Sequence, residues 1–175
     1  DPKPLQYISE AYKELGDEDK ALEYNQQYMD KNPNAAPTDF MKLAEIYVNK
    51  AKKDPAKKIE NIDKAIGVYA KLSEKYPTLK TFAKLQEGNT AFQNELDDKA
   101  IAAYTEVINE LEAKQCDEDE LSYLKTSYQY MGFIYTYDKQ DFNTAKPYWD
   151  KLLKLDPQNK LANDAYEKAG LKPGE

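Results

Sequence analysis

The residues best suited to chemistry in this chain are bunched at "CDEDE", Cys116 to Glu120, where a thiol adjoins four carboxylates. Such a run invites a hard-cation reading, but a Ca²⁺ loop needs a turn glycine and a distant bidentate Glu, and the spacing here supplies neither. Acidic residues in this place are better explained as a helix start, where they cap free N–H groups and favour the positive end of the helix. Cys116 is the chain's single Cys, which excludes an intrachain disulfide and a C-x-x-C site. His is absent altogether, removing the commonest general base near neutral pH, the Ser–His and Cys–His pairs and the familiar zinc arrangements. A carboxylate-only hydrolase needs two acids held ~5 to 9 Å apart. Among 32 acidic residues some pair meets that by chance, so the condition discriminates nothing. The expectation is a non-enzyme with no catalytic residue, no cofactor and no metal.

The charge balance narrows the partners. Net charge is -7, so the mean field repels nucleic acid and anionic lipid. Every one of the 25 basic residues is Lys, which leaves no planar guanidinium fork for phosphate or guanine. Nucleic acid is therefore not an expected partner. "NKAKKDPAKK", Asn49 to Lys58, concentrates Lys, but a charge run of this kind belongs to solvated helix ends and a loop. No apolar run approaches the ~20 residues of a membrane span. The opening "DPKPLQYISE" is not a signal peptide and looks like the end of a preceding segment. Localisation is left open: exported if a leader was removed, otherwise cytoplasmic.

Lys, Glu, Ala, Leu and Tyr dominate, β-branched residues are sparse, and the fold class expected is all-α. Helical periodicity predicts nine helices, over 4–15, 18–31, 38–52, 55–76, 78–94, 97–114, 119–138, 143–155 and 159–169. Gly16 supplies a left-handed helix end and Asp17 the next cap. Asp54 caps ahead of Pro55, whose missing N–H is harmless at a first helical position. "KNPNAAPTDF", "EKYPTLKT" and "KLDPQNKLA" stop helices at proline. Gly170 closes the last helix and leaves "LKPGE" frayed.

Repetition is the strongest signal. Ala145, Trp149 and Pro157 are spaced by four and eight; Ala65, Tyr69 and Pro77 repeat this, Ala21, Asn25 and Pro33 repeat it with a polar residue in the aromatic slot, and Ala100 and Tyr104 begin a fourth copy. The helix before each has its own pattern: Tyr128, Met131, Gly132 and Tyr135 recur as Phe40, Leu43, Ala44 and Tyr47, and more loosely as Leu5, Ile8, Ser9 and Tyr12. The small residue suits a close helix crossing and the aromatic fills the hollow beside it.

Together these half-patterns resemble the tetratricopeptide repeat, W-x2-L-G-x2-Y followed by A-x3-F and P. The likeness extends to the carboxy-terminal part of longer repeat proteins of Bacteroidetes. It implies a single domain over 1–175, a right-handed superhelical array of helix-turn-helix units near 1–34, 35–78, 79–114 and 115–158, with a capping helix over 159–170. The Ala registers are separated by 44, 35 and 45 rather than the family's 34, so some units are lengthened. Lys84, Glu87 and Ala91 replace most of the first-helix signature in unit three.

Hairpins that cannot each hide an apolar face must stack. The expected core is Ile8, Tyr12, Ala21, Leu43, Ala44, Tyr47, Ala65, Tyr69, Leu72, Gly88, Ala100, Tyr104, Val107, Met131, Gly132, Tyr135, Ala145, Trp149 and Leu152. In the family the concave face is lined by first helices, which here places Phe82, Leu85, Asn89, Phe92, Gln93, Gln129, Tyr130, Phe133 and Tyr137 on the expected partner-binding surface. Large rings on a face that the architecture does not bury mark a protein or peptide site. The competing reading is that the same rings are core. With no Arg, and with Leu85 and Phe92 beside Asn89, the family's carboxylate clamp is not expected. The function expected is non-catalytic protein binding or scaffolding, with an accessory domain of a larger enzyme and a structural self-associating module as alternatives. The solution state expected is a monomer or weak homodimer.

Overall fold

The computed structural model describes residues 1–174 and contains helices only. They are α1 Lys3–Glu14, α2 Glu18–Lys31, α3 Pro37–Lys53, α4 Lys58–Lys75, α5 Lys80–Gln93, α6 Asp97–Glu112, α7 Glu118–Phe133, α8 Phe142–Leu155 and α9 Lys160–Lys168. Short 3-10 turns at Pro55–Lys57 and Pro77–Leu79 lead into α4 and α5, and a π turn, Ile134–Asp138, extends α7. The array is an all-α helical repeat. Of the expected frayed end, Glu175 lies outside the described residues.

The helix ends follow the capping chemistry of the sequence. Asp17, Asp117, Asp141 and Asn159 each accept a backbone N–H three residues on, at 2.9–3.1 Å. Glu120 returns a bond to the Asp117 N–H at 3.2 Å, closing a capping box. "CDEDE" is thus a helix start. Gly16 has φ 74°, and a Cβ there would meet the Lys53 ammonium at 2.8 Å. The corresponding turns before α6 and α8 put Glu95 (φ 64°) and Gln140 (φ 54°) in the same left-handed region without glycine.

Contacts divide the chain into residues 1–94 and 95–175. In the first unit α1 pairs with α2, α3 with α4, and α4 with α5. Its core gathers Ala35, Phe40, Leu43, Ala44, Tyr47, Ala65, Val68, Tyr69, Leu72 and Ala83. In the second, α7 packs against α6, α8 and α9, and Trp149, Tyr104, Tyr166, Leu111, Met131, Ile134 and Leu152 are all under 2% exposed.

The repeated small residues sit where the sequence places them. Ala21, Ala44, Ala65, Ala100 and Ala145 are each 0% exposed, and Gly88 and Gly132 are buried. Ser9 joins them at 1%, its hydroxyl donating to the Ala21 carbonyl at 2.7 Å. Ile8 departs from the expected core. It is 38% exposed, although its counterparts Leu43 and Met131, each also one residue before the small crossing residue, are buried. Tyr12 and Tyr135 are half-buried, stacked on Tyr24 and Tyr148.

The irregular repeat lengths have local causes. Ser9 and Ala21, like Gly88 and Ala100, are 12 apart, whereas Gly132 and Ala145 are 13 apart. The π turn absorbs the extra residue, with the Lys139 N–H donating to the Ile134 carbonyl five residues back at 2.9 Å. Ala44 and Ala65 are 21 apart because α3 runs 17 residues and a 3-10 turn precedes α4.

Candidate functional site

Three phenols donate to carboxylates on neighbouring helices: Tyr28 to Asp39 (2.9 Å), Tyr128 to Glu112 (2.6 Å) and Tyr166 to Asp150. Glu112 also takes the Lys151 ammonium at 2.6 Å, so one carboxylate ties α6, α7 and α8 together. Burial, then the bond to Glu112, pushes the Tyr128 phenol well above its usual range. Burial also pushes Glu112 up, but the bonds from Lys151 and Tyr128 outweigh it and hold the carboxyl below the usual range. Both shifts lead away from neutral pH, the opposite of what general acid–base work requires. These clusters are staples between helices. Among the described residues there is no group of three or more His, Cys, Asp or Glu side chains arranged to hold a metal ion, and no helix is long and apolar enough to cross a membrane.

The nine surface residues singled out by the sequence fall on two helices in different units. On α5, Phe82 is half-buried against the α3–α4 core, Leu85 is buried at 5% exposure, Asn89 and Phe92 are half-buried and Gln93 is exposed. Leu85 therefore offers no open surface. On α7, the Gln129 side-chain oxygen accepts from Asn159 at 3.3 Å at the start of α9. Tyr130 stacks on Tyr104 of α6, centroids 5.6 Å apart, which makes it an inter-helix contact. Phe133 and Tyr137 form a tilted pair at 4.8 Å, both half-buried.

The structure adds a cavity beside that pair which the sequence did not disclose. Thr136, Tyr137, Gln140, Phe142, Ala165, Lys168 and Ala169 enclose about 400 Å³ between the π turn, the start of α8 and the last turn of α9. The Lys168 ammonium stands 4.4 Å from the centroid of the Tyr137 ring, a cation–π contact. Thr136 fixes one wall to the core by accepting from the Trp149 indole N–H at 2.8 Å. Burial, with Asp164 nearby, raises the Tyr137 phenol, and burial, with Asp97 nearby, raises Asp138 of the π turn. The slot has a mixed lining, Tyr137, Phe142, Ala165 and Ala169 together with the polar Thr136, Gln140 and Lys168, and is of a size that takes a large side chain or small ligand. A second slot of about 520 Å³ lies in the first unit, floored by Phe40, Leu43 and Tyr47 of α3 between α2 and α4.

Comparisons agree with the geometry. Residues 5–35 match the tetratricopeptide repeat family model. No curated protein matches the sequence. Among solved structures, the C-terminal part of a TPR repeat-containing protein from Cytophaga hutchinsonii is similar at 21% identity and TM-score 0.67, over 92% of this chain and 58% of that one. Human IFIT1, solved as a dimer with PPP-AAAA, is similar at 17% identity and TM-score 0.61, over 94% of this chain and 36% of that one. A monomeric mutant of IFIT1 with Gppp-AAAA gives 16% and 0.61. At these identities the likeness is one of fold. The chain spans 58% and 36% of the lengths of these structures.

Proposed function

We propose that this chain is a non-catalytic module that holds a protein or peptide partner, and that the partner is anchored on the second unit by Phe133, Tyr137 and the adjoining cavity. The observation that carries the reading is one of register. Rings at repeated positions, Tyr69, Tyr104 and Trp149, are buried as packing elements. Phe133 and Tyr137 lie outside the repeated aromatic slot and are half-buried; Tyr137 lines a slot of about 400 Å³, and Phe133 packs on the Tyr137 ring at 4.8 Å. Aromatic side chains beside a preformed apolar pocket are the usual anchors of protein recognition. An apolar partner side chain fits the wall of Phe142, Ala165 and Ala169, while the Lys168 ammonium already occupies the Tyr137 ring and gives the slot a positive edge. Over longer range, a chain of net charge -7 steers basic segments towards itself.

The test is the double substitution Phe133→Ala with Tyr137→Ala, compared with the parent in quantitative pull-down from a lysate of the source organism and in thermal unfolding. Loss of the captured partner with a melting point within a few degrees of the parent is the expected result, given about 2–4 °C per kcal/mol at this chain length. A large fall in melting temperature would mean that the rings hold the fold, and the anchoring role would be abandoned.

A further inference from the structure

The slot of the first unit has a counterpart at the same register in the second, and there it is filled. α3 and α7 correspond 88 positions apart, Phe40 with Tyr128 and Tyr47 with Tyr135, and α4 and α8 correspond 80 apart, Val68 with Tyr148 and Lys71 with Lys151. In the second unit the Tyr148 ring lies flat on Tyr135, centroids 6.1 Å apart and planes 3° from parallel. The Lys151 ammonium stands 5.7 Å from the Tyr128 ring centroid and reaches the Glu112 carboxylate at 2.6 Å, so a ring and an ion pair close the floor between α6 and α8. In the first unit Val68 brings no ring to Tyr47, and Pro33 stands where α6 has Glu112. Lys75 supplies part of the closure, its ammonium 5.6 Å from the Phe40 ring centroid and 2.7 Å from the Pro33 carbonyl. The rest stays open beside the exposed Lys71, leaving about 520 Å³. Gly67 lines the same wall, and a Cβ there would meet nothing within 4 Å. Glycine inside a helix lowers its stability; the Trp149 indole requires Gly132, but no neighbour in the chain requires Gly67. α2 and α4 both pack against α3, and α4 packs also against α5, so neither end of the sequence makes the opening.

We propose that this slot is a second peptide seat, for a segment of a protein partner that brings one aromatic side chain and one carboxylate. Both groups are ones that the second unit supplies to itself. The partner's ring lies against Tyr47 in the place of Tyr148, and the bare face of Gly67 lets the partner's backbone come close. Its carboxylate meets Lys71 as Glu112 meets Lys151. Tyr148 and Lys151 are three residues apart on one helix, and Tyr128 and Tyr135 seven. Those rises set ring and carboxylate roughly 5–10 Å apart, or about two to three residues of extended chain. Charge in the lining comes from Lys64 and Lys71 on α4 and from Asp30 on α2, so the wall that Gly67 opens is the positive one. Lys64 is held by Glu60, which leaves Lys71 to receive the acid. Carboxylates elsewhere on a chain of net charge -7 are screened over about 8 Å in physiological salt. The seat owes nothing to Phe133 and Tyr137, which belong to the other unit.

The probes are short synthetic peptides of Gly and Ser that carry one Tyr and one Glu, two or three positions apart, titrated into the isotope-labelled chain and read by amide chemical shifts. Saturable shifts at Gly67 and Lys71, with a dissociation constant on the order of 0.1–1 mM, are the expected result. Replacing the peptide's Tyr by Ala should abolish them, and replacing its Glu by Gln should weaken binding about fivefold or more. Lys71→Glu should weaken it about tenfold. Gly67→Leu fills open space and improves helix propensity, so it should abolish binding while leaving the melting temperature no lower than the parent's. Phe133→Ala with Tyr137→Ala should bind the peptide as the parent does. Undiminished binding by Gly67→Leu would overturn the proposal, as would tighter binding of a peptide with Lys in place of Glu, which would give the slot to a basic partner through Asp30. Shifts that stay absent from α2–α4 up to about 5 mM peptide would overturn it too. So would the same shifts on concentrating the chain without peptide, which would make the occupant a second copy.

Discussion

At the crossing of α7 and α8 the small residue is Gly132 and the large one Trp149; at the same register of α3 and α4 the two are Ala44 and Tyr69. A Cβ on Gly132 would lie 2.5 Å from the Trp149 ring, so the glycine is required by the indole that fills its space. Ala44 and Tyr69 share one core cluster, at 0% and 9% exposure. The two hairpins spend the same volume differently, a larger ring against no side chain in one and a smaller ring against a methyl in the other. In these two hairpins packing therefore constrains a sum of sizes across two helices rather than a residue at either position.

The largest effect expected from breaking this pattern is at Trp149. Trp149→Ala removes a fully buried ring and the indole bond to Thr136, and should lower unfolding free energy by about 3–5 kcal/mol in denaturant melts. Gly132→Ala comes next, at about 1–3 kcal/mol of overpacking against the indole, despite the better helix propensity of Ala. Ala44→Gly should cost about 1–2 kcal/mol, from propensity and a lost methyl, and no clash accompanies it. A reversed order of these two would show that the glycine is tolerated rather than demanded.

The smallest expected effect concerns the Glu112 staple, which α3 and α4 lack. Its carboxyl is depressed by Lys151 and Tyr128 in the folded chain, so its contribution is present above the ordinary carboxylate range and is lost as pH falls through the depressed pKa. Glu112 is 37% exposed, and screening keeps the contribution under about 1 kcal/mol. Glu112→Gln should remove that part of the acid sensitivity and leave stability above the carboxylate range lower by the same small amount. An acid limb unchanged in slope would show that the staple carries no linkage.

Most of this architecture is legible in the sequence, because periodicity, prolines and Asp caps all act locally. The nine helices begin and end within a few residues of where those signals put them. What escaped depends on neighbours far along the chain. Ile8 has the residue type and register of a core position, yet it is 38% exposed where its counterparts Leu43 and Met131 are buried. The left-handed turns at Glu95 and Gln140 carry no glycine to announce them, and the π turn adds one residue that spacing alone assigns to no place. Asn25 stands in an aromatic slot, 3% exposed with its side-chain oxygen unpaired, which the repeat pattern marks as odd without explaining. At the candidate site the ring-rich surface of α7 is visible as a list of residues. Extending the α3 register by two positions would have separated Tyr130, the counterpart of Lys42, from Phe133 and Tyr137. The cavity was out of reach, since it joins the π turn to α9, whose Ala165, Lys168 and Ala169 look like any capping helix.

The central claim, that repeated small and aromatic positions form one packing unit with interchangeable solutions, is tested most directly by a double-mutant cycle of Gly132→Ala and Trp149→Tyr in equilibrium unfolding. Together the two changes install the α3–α4 pair in α7–α8. Gly132→Ala should cost about 1–3 kcal/mol beside the native indole and be close to neutral in the Trp149→Tyr background, a coupling of at least about 1 kcal/mol. Additive effects, with Gly132→Ala equally harmful in both backgrounds, would contradict it.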